Sequence, residues 1–325
     1  MPADGVLVAG AAFIGVRHRG IIGAERTRPA ERGGNLRAVN LVRRLLGYCK
    51  LCEFEDFADL GLRRYKSQLV PEHERERVHR KYWEIAQSAR ALVELGAAHS
   101  RAELLGVAAG KETTTFWLTN HARRVFATDR YLEPAGWEID APQSMLTAPG
   151  QHAVGSWHPR RLVVQHMDAR ELQYEDASFD AVYSSGSIEH FSDYNDLALA
   201  LAEMWRVLKP RGIAVLSTEY RMRGPGPGMA GTLVFSADEI AELVVEPYAW
   251  ELVQPLDLRL SQATLATELQ IPEAVVLQDT KPEIPHIVLA DGELAMTSVH
   301  LALRKRRARL WRRRRQPRRQ VVTGR

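Results

Sequence analysis

The sequence predicts an α/β fold built on a doubly wound, mostly parallel sheet. Three short runs, residues 162–167, 181–185 and 212–218, are rich in apolar residues and bounded by polar ones. Runs of this kind are typical of strands buried on both faces, as in a parallel sheet. Between the last two runs, apolar residues recur at helical spacing up to Leu208, and Pro210 then ends the pattern. Strand, strand, helix and strand therefore follow one another as in a doubly wound fold.

The composition is ordinary for a globular protein. Of the 325 residues, 45% are hydrophobic and 26% are charged, and this length allows one large domain with an extension. No run of about 18 apolar residues occurs, so we expect no membrane span. The first apolar patch, residues 6–16, follows the acidic Asp4 and lacks a basic leader, which argues against a signal peptide. These features favour a cytoplasmic protein.

The chain has two cysteines, Cys49 and Cys52. A structural zinc site needs four ligands, and no second cysteine pair exists. A redox pair of this spacing should follow a strand and open a helix within a βαβ unit, a pattern that is not evident here. We therefore expect two packing cysteines in a reducing compartment, and no metal site.

Positive charge is concentrated at the C-terminal end of the chain. Twelve of the 44 Lys and Arg residues lie between Arg304 and Arg325, where no acidic residue occurs. The rest of the chain therefore holds 32 basic and 40 acidic residues, a balance of −8, although the whole chain is at +4. We expect residues 306–325 to form a disordered basic tail. Such a tail is either a solvated extension or an arm for nucleic acid, an anionic membrane or an acidic partner.

Residues 1–97 are expected to form an N-terminal helical extension. The clearest element is a helix from Pro71 to Gly96, with proline and glutamate at its start and glycine at its end. One face of this helix is apolar. The residues of that face are Val78, Tyr82, Ile85, Ala89, Leu92 and Val93.

The core is predicted to span residues 98–305. It opens with a strand at 102–108, a short turn, a helix at 113–122 and a second strand at 124–129. A loop of residues 130–161 then leads to the third strand. Loops of this length are often functional, so this one either lines part of a pocket or wraps the edge of the sheet.

The C-terminal part of the core continues after the fifth strand. A capping box at residues 236–239 opens a helix. Residues 250–258 are predicted to form a strand, whereas residues 259–283 show little periodicity. Residues 286–303 predict a hairpin that turns at Asp291-Gly292.

The segment from Asp168 to Glu219 resembles the second half of a class I S-adenosylmethionine-dependent methyltransferase of the methyltransferase-11 type. The matching features are an acid after the third strand and the strings SFDAVYSSGSIEHF and EMWRVLKPRGIAVLSTE. HRKYWE at residues 79–84 resembles an HRKxWE string found before the core in one branch of the group. The resemblance covers roughly Val78 to Leu303. It implies a seven-stranded Rossmann-like sheet with an antiparallel last strand, and S-adenosylmethionine as the methyl donor.

The turn after the first strand departs from the family's acidic-x-Gly-x-Gly-x-Gly loop. Gly106 stands at the acidic position, Ala108 and Gly110 at the first and second glycines, and Glu112 at the third. A carboxylate at 112 would repel the pyrophosphate of a dinucleotide, which must lie at this turn. S-adenosylmethionine has no phosphate, and its ammonium group can pair with an acid. The resemblance therefore implies donor-binding residues at Gly106, Val107, Ala108, Gly110 and Glu112.

Two acids follow neighbouring strands. Asp129 ends the second strand, 23 residues after Gly106, where a carboxylate can accept both ribose hydroxyls; a strand-end turn residue is the alternative. Asp168 and the backbone of Ala169 are expected to read the adenine. The carboxyl ends of parallel strands are where open α/β sheets bind ligands. Arg130 and Ser185 complete the expected donor site.

The HRKYWE helix has two interpretations. It is either a surface helix with one amphipathic aromatic residue, or a lid whose His79, Lys81 or Trp83 reaches the donor. An aromatic ring with cations at a pocket mouth suits a nucleoside that carries a carboxylate. His79 and Trp83 are accordingly predicted donor contacts.

Glu189 and His190 follow the fourth strand, where the acceptor meets the donor in this fold. Methyl transfer is an in-line displacement that depends on positioning, and an alcohol acceptor must also lose a proton, for which a histidine is suited. His190 is therefore a candidate general base with Glu189 beside it; the alternative is that the pair caps the next helix and supports the donor loop. Glu219 and Arg221, after the fifth strand, are the candidate acceptor-binding residues.

The resemblance implies a methyltransferase whose acceptor is left open. The Asn/Asp-Pro-Pro-Tyr/Phe motif of amino-methylating nucleic-acid enzymes is absent, and Ser-Ser-Gly-Ser stands in its place at 184–187. This favours a small molecule or a glycan methylated at oxygen. The alternatives are a nucleic-acid methyltransferase that uses the basic tail, and a non-catalytic donor-binding or scaffold protein.

Overall fold

The computed structural model describes residues 47–133, 140–248 and 250–306. Most of their strands join one twisted sheet. In chain order the strands are β1 (Lys50–Leu51), β2 (Glu103–Val107), β3 (Arg124–Asp129), β4 (Leu162–His166), β5 (Phe179–Ser185), β6 (Leu208–Arg223), β7 (Gly228–Met229), β8 (Thr232–Leu233), β9 (Trp250–Leu252), β10 (Leu269–Gln270), β11 (Leu289–Asp291) and β12 (Leu294–Lys305).

Helices cover both faces of this sheet and its carboxyl edge. They are α1 (Leu60–Leu69), α2 (Arg80–Glu94), α3 (Thr113–Leu118), α4 (Ser144–Thr147), α5 (Tyr194–Val207), α6 (Ala237–Glu239), α7 (Gln262–Leu265) and α8 (Ile271–Thr280). A π-helical turn, Ile240–Val245, continues α6. None of the described helices has the length and apolar content needed to cross a membrane.

The large sheet has the order β10-β11-β12-β6-β5-β2-β3-β4, and β1 and β9 also pair with β12. The pairs among β2 to β6 are parallel, and β12 is antiparallel to β6. The mostly parallel sheet with an antiparallel final strand is therefore confirmed. The short strands β1 and β11 pair with β12, and β10 pairs with β11. They bring the described sheet to ten strands, beyond the seven expected.

Successive residues of the central strands pack into opposite layers because strand side chains alternate between faces. Leu104 joins Trp83, Leu92 and other residues of the N-terminal helices, whereas Leu105 joins Leu201 and its neighbours on α5. Both layers consist of fully buried apolar side chains. This two-sided burial is the physical reason for the continuous apolar runs in the sequence.

Residues 47–97 pack directly on the sheet. Strand β1 pairs with β12, where Lys50 lies opposite His300, and α2 contacts β5, β6 and β12. Cys49 and Cys52 are free and buried in this layer, as predicted, and burial raises the pKa of both thiols. The described part of the N-terminal segment is thus continuous with the core. Residues 1–46 and the tail from 307 onward lie outside the described residues.

The long N-terminal helix begins later than the sequence predicts. The chain forms a 3₁₀ turn at Glu72–Glu74 and becomes α-helical at Arg80. Here the backbone of His79 is extended, and on either side of it His286 donates to the Val78 carbonyl and Arg80 donates to the His286 carbonyl. These long-range bonds replace the helical bonds that the local pattern favours.

Other element boundaries differ as well. The predicted strand at 250–258 shortens to β9, while β6 begins at Leu208 and includes Pro210. The aperiodic stretch 259–283 contains α7, β10 and α8. The predicted hairpin is confirmed as β11 and β12, with Gly292 at φ +57° in its turn.

Candidate active site

A cleft of about 570 Å³ lies at the carboxyl edge of the parallel strands. Four segments form most of its wall: the turn after β2, the end of β3, the turn after β5 and one face of α2. The loop after β3 adds Glu133, Asp140 and Ala141. This volume is in the range of small-molecule sites.

The turn after β2 is fixed from two sides. Gly110 has φ +48° and its N–H donates to Asp129 Oδ2 at 2.8 Å. The Ala108 carbonyl accepts from Ser187 Oγ at 2.9 Å, and Ala108 itself has φ +49°. A Cβ at Gly110 would lie 2.4 Å from the Asp140 carbonyl oxygen. The turn is thus held close to β3 and β5 in a conformation that favours glycine.

Gly106 makes room for a tyrosine within the sheet. A Cβ at this position would lie 2.7 Å from the Tyr183 ring. Tyr183 is fully buried, and its hydroxyl is 2.9 Å from Thr115 Oγ1. The space that an acidic side chain would need at the end of β2 is therefore filled, and the acid of this turn lies at Glu112.

Asp129 presents a carboxylate to the cleft and to a smaller cavity beside it. Its Oδ2 accepts from Gly110 N and its Oδ1 accepts from Arg130 N at 2.7 Å. Burial raises the pKa of this carboxyl. Each oxygen of a carboxylate has two acceptor sites, so both keep capacity for a further donor such as a ribose hydroxyl.

A smaller cavity of about 80 Å³ adjoins the cleft at Ala108 and Asp129. Asp168, Ala169 and Phe191 are among its lining residues. The guanidinium group of Arg170 donates to both oxygens of Asp168, which lowers the pKa of that carboxyl. Arg170 also donates to Asp196 on α5 at 2.9 Å, so Asp168 is held rigidly at the wall.

Glu112 lines the part of the cleft that lies beside Ser185. Its Oε2 is buried and has no hydrogen-bond partner among the described residues. Burial, followed by the nearby charge of Glu84, raises the pKa of Glu112 to about 8. A buried acceptor without a partner is costly, which marks Glu112 as a group that a bound ligand would satisfy.

A group of five charged side chains lies beneath this part of the cleft, where α2 meets the ends of β5 and β6. We call it the α2 charge cluster, and its members are Arg80, Lys81, Glu84, Glu189 and Glu219. Lys81 Nζ lies 3.1 Å from Glu84 Oε1, 3.4 Å from Glu189 Oε1 and 3.1 Å from Glu219 Oε1. Four of the five are buried, and Lys81, whose side chain is 38% exposed, reaches the cleft.

The segment that carries most of this cleft is similar to a known protein family. Residues 105–216 match the family model described as Methyltransferase domain, Methyltransf_11. That range contains the turn after β2, Asp129, Asp168 and the turn after β5. Residues 105–216 therefore belong to a class I S-adenosylmethionine-dependent methyltransferase domain.

The match between this chain and each individual relative covers only part of the length of that relative. A demethylmenaquinone methyltransferase from Deinococcus radiodurans is 37% identical over 151 residues, which are 46% of this chain and 54% of that protein. Another from Staphylococcus aureus strain JH9 is 42% identical over 77 residues, which are 24% of this chain and 30% of that protein. The chain thus spans about half, or less, of the curated relatives it matches.

Among solved structures, this chain is similar to the YcgJ protein from Bacillus subtilis, and the two sequences are 16% identical. The superposition has a TM-score of 0.42 and covers 68% of this chain and 98% of that one.

The residues of the methyltransferase domain fit its methyl donor. The cleft offers carboxylate oxygens at Asp129, an apolar and acidic cavity at Ala169 and Asp168, and an acid without a partner at Glu112. A nucleoside with hydroxyl donors supplies matching chemistry for Asp129, and an ammonium group does so for Glu112. Both oxygens of Asp168 already accept from Arg170. The close approach at Gly110 leaves no room for a side chain in the turn.

The structure brings eight of the twelve predicted donor contacts to these two cavities. They are Ala108, Gly110, Glu112, Asp129, Arg130, Asp168, Ala169 and Ser185. Gly106 and Val107 are buried within β2 and do not line the cleft.

His79 and Trp83 also lie away from the cleft of the methyltransferase domain. His79 caps α2 and its ring stacks on His286 at a centroid distance of 4.3 Å. Trp83 is fully buried, and its Nε1 donates to Asp56 Oδ2 at 2.8 Å. Because residues of a helix rotate by about 100° each, the neighbour Lys81 faces the cleft instead.

The predicted catalytic pair is separated by the fold. His190 lines the cleft, and its Nδ1 lies 3.1 Å from the Gly231 carbonyl. Glu189 is fully buried in the α2 charge cluster, and its Oε2 accepts from Thr218 Oγ1 at 2.9 Å. On the 3₁₀ turn Ile188–His190, Glu189 is thus buried whereas His190 is exposed, and of the two only His190 lines the cleft.

Glu219 and Arg221, the predicted acceptor-binding residues, face other protein groups. Glu219 is bound by Arg80 and Lys81 in the α2 charge cluster. Arg221 donates to Glu239 Oε2 at 2.6 Å and to the Val234 carbonyl. Neither lines the cleft.

Sequence reasoning missed Arg80 and Glu84 of the cluster and Asp140 of the cleft wall. Arg80 and Glu84 are spaced i, i+4, which is typical of ion pairs on exposed helix surfaces. The local sequence therefore did not indicate that these two side chains are buried. Asp140 contributes its backbone carbonyl, which accepts from Lys111 N at 2.8 Å. Every residue has a backbone carbonyl, so a contact of this kind cannot be predicted from the residue type.

Proposed function

We propose that this chain transfers the methyl group of S-adenosylmethionine to a small-molecule acceptor. One observation supports this most strongly: three acids that suit a nucleoside with an ammonium group line two adjoining cavities. Asp168 lines the smaller cavity, Asp129 lines both cavities, and Glu112 lines the cleft. When bound, the donor supplies an activated methyl group on sulfur.

The role of the protein in such a reaction is to hold the donor and align the acceptor. In-line displacement gains most from positioning, which can account for several kcal/mol of the barrier. The turn after β2 and the turn after β5 are joined by Ser187 and the Ala108 carbonyl. This bond fixes the donor side of the cleft relative to the residues that would meet the acceptor.

The acceptor side of the cleft combines apolar and polar groups. Tyr82 and Ile85 from α2 and Phe191 after β5 form the apolar part, and His190 and Lys81 border it. This lining suits a small organic acceptor with a hydroxyl group, including a sugar hydroxyl of a glycan. The two relatives named above act on demethylmenaquinone, which makes that compound the second acceptor to test.

The contact between His190 Nδ1 and the Gly231 carbonyl supports a role for this ring as general base. A carbonyl oxygen only accepts hydrogen bonds, so the contact with Gly231 places the proton of a neutral ring on Nδ1. The lone pair then lies on Nε2. We propose that this nitrogen takes the acceptor proton during transfer to oxygen.

Calorimetry and a transfer assay test the proposal. The full-length protein is expected to bind S-adenosylmethionine and to convert it to S-adenosylhomocysteine with an acceptor from a panel of hydroxylated small molecules, glycans and demethylmenaquinone. Preferential binding of NAD would overturn the donor assignment. Donor binding without transfer to any acceptor would favour the non-catalytic alternative, and transfer to RNA or DNA alone would favour the nucleic-acid alternative.

A further inference from the structure

We infer that the amino edge of the large sheet binds the phosphodiester backbone of a nucleic acid, as a partner distinct from the methyl acceptor. Strands β2 to β6 and β9 begin at this edge, and β12 ends at it. The inference does not depend on the proposed function. We define the amino edge by the segments at these strand ends, which are residues 99–103, 121–124, 158–162, 175–180, 206–212, 250–252 and 304–306.

The amino edge is strongly basic. It holds eleven Lys and Arg and five Asp and Glu, whereas the chain before Arg304 holds 32 basic and 40 acidic residues. Strand pairing places these side chains next to one another. Arg124 on β3 lies opposite Glu103 on β2, and Arg304 on β12 lies opposite Ile213 on β6. Because neighbouring strands lie about 4.8 Å apart, the six strands from β12 to β4 spread the cations over roughly 24 Å.

Four arginines of the amino edge are open to a ligand. They are exposed and form no ion pair with any residue in the described parts of the chain. They are Arg101, Arg124, Arg160 and Arg211, and they lie at or just before the starts of β2, β3, β4 and β6. Three of the five acids are already paired: Glu103 with Arg123, Asp180 with Lys209 and Asp176 with Arg206. The edge therefore keeps an excess of cations that face solvent.

A nucleic acid backbone fits the arrangement of this charge. The cations form a row along one sheet edge, and a phosphodiester backbone is itself a row of negative charges. Nine of the eleven cations are arginines, whose planar guanidinium group can pair with two oxygens of one phosphate. Membrane binding usually combines charge with inserted apolar side chains, and the exposed large apolar side chains of the described residues lie outside the segments of the amino edge.

The basic tail follows directly from the amino edge. The last residue of β12, Lys305, is anchored there, since its Nζ donates to the Trp205 carbonyl at 2.6 Å and to the Leu208 carbonyl at 2.7 Å. Nine of the twelve Lys and Arg between Arg304 and Arg325 come after Arg306. The amino edge and the tail thus present charge of the same sign from adjoining parts of the chain.

The amino edge lies at the opposite end of the parallel strands from the cleft. Strands β2 and β3 have five and six residues, so at about 3.3 Å per residue roughly 17–20 Å of sheet separates the two edges. A methyl group at the carboxyl edge cannot reach a segment of nucleic acid that is bound at the amino edge. The bound segment would therefore hold the protein in place and would not receive the methyl group.

Fluorescence anisotropy with labelled oligonucleotides tests the inference on the full-length protein. The probes are an oligo-uridylate, an oligo-thymidylate and a DNA duplex, and their ranking distinguishes RNA from DNA and single strands from double strands. Arg101→Gln/Arg124→Gln/Arg160→Gln should weaken binding of the preferred probe by about 10-fold or more in about 0.1 M salt. For a single strand, the slope of log affinity against log salt should also fall in magnitude by about 2, because each phosphate contact contributes about 0.7. Lysine at the same three positions should keep most of the affinity.

Arg63→Gln/Arg64→Gln/Arg75→Gln is the matched control. These arginines are also exposed, but they lie on α1 and after the 3₁₀ turn Glu72–Glu74. This variant removes the same charge and should bind the probe almost as tightly as wild type. Donor affinity should stay unchanged in both triple variants, because none of the six arginines lines the cleft.

A third triple variant, Arg312→Gln/Arg313→Gln/Arg314→Gln, separates the amino edge from the tail. It should weaken probe binding as well, and its combination with the three edge substitutions should weaken binding further. If the tail variant loses affinity while the edge variant binds like wild type, the tail alone carries the interaction and the inference fails.

The remaining outcomes are equally distinct. The inference is overturned if wild type binds none of the probes, or if it binds vesicles that contain phosphatidylserine but no oligonucleotide, which would assign the amino edge to a membrane. Methyl transfer to the bound probe would show that the nucleic acid is the acceptor and would also overturn it. If wild type binds a probe through the amino edge but does not bind S-adenosylmethionine, the proposed function fails and the inference stands.

Discussion

Arg80 at the start of α2 donates from Nη1 to both oxygens of Glu219 on β6, at 2.5 and 2.7 Å, across 139 positions of sequence. Both side chains are buried. Burial alone would raise the pKa of Glu219, but Arg80 and then Lys81 lower it to about 2. This ion pair fixes the helix that forms one wall of the cleft to the sheet edge that forms another.

Removing Arg80 should therefore destabilise the protein strongly. Arg80→Met leaves Glu219 and Glu84 with a single cation, and breaking a buried pair typically costs about 3–5 kcal/mol. Urea unfolding measures this loss. The double variant Arg80→Met/Glu219→Met should recover part of it, because one charge of each sign is removed and the net charge of the cluster is then the same as in wild type.

Arg63→Met provides the comparison for that experiment. Arg63 and Glu76 form an exposed pair at 3.1 Å, and such pairs contribute at most about 1 kcal/mol. A loss at Arg80 no larger than the loss at Arg63 would contradict a structural role for the cluster.

Gly110→Ala should damage the donor site. The new Cβ would lie 2.4 Å from the Asp140 carbonyl, and φ is +48°, so the turn must move away from Asp129. We expect a loss of about 1–3 kcal/mol in stability and at least about a tenfold loss in donor affinity, measured by thermal melting and calorimetry.

Ala108→Gly is the matched substitution in the same turn. Ala108 already has φ +49°, a region that glycine adopts readily, so stability should change by less than about 1 kcal/mol. Equal damage from both changes would show that the conformation of the turn is not what donor binding requires.

His190→Gln should lower turnover by about 10²-fold and leave donor affinity unchanged, because general-base help is typically worth about 10²–10⁴-fold. The loss should shrink as pH rises and the acceptor ionises unaided. Transfer assays across pH and donor calorimetry measure the two quantities. A parallel loss of donor affinity and turnover would instead assign His190 a supporting role.

The unliganded protein should become less stable as pH rises from about 4.5 to about 8, through Glu112. The folded pKa is raised to about 8 by burial, so in this window the unfolded chain releases a proton that the folded chain keeps. The limiting slope from one group is about 1.4 kcal/mol per pH unit.

Glu112→Gln should remove this dependence. The variant should match wild type near pH 4.5 and exceed it increasingly toward pH 8, as read from urea midpoints without ligand. A constant difference across this pH range would mean that Glu112 ionises normally in the folded protein.

Local sequence patterns were sufficient to predict the strands of the core and the strand ends that carry Asp129 and Asp168. Apolar runs of five to seven residues are local signals, and the end of each run gives the strand end. Asp129 and Asp168 could therefore be placed at the cleft without coordinates, since parallel strands end at one edge of the sheet. The hairpin of β11 and β12 followed in the same way from its Asp-Gly turn.

The sequence pattern of α2 was only partly informative. Its apolar face predicted one buried side, yet Arg80, Glu84, Gln87 and Arg90 are buried as well. Hydrophobic periodicity predicts which face of a helix is apolar. It does not predict which charged residues are buried against partners from distant strands.

The tertiary structure alone decided which polar side chains face the cleft. Lys81 reaches it while His79 and Trp83 do not, and His190 reaches it while Glu189 and Glu219 turn into the α2 charge cluster. These choices depend on how α2 meets the ends of β5 and β6, which is set by contacts more than a hundred residues apart. Residue spacing predicts local backbone geometry only. The direction of a side chain at a strand end also depends on residues that are distant in sequence, so spacing alone cannot predict it.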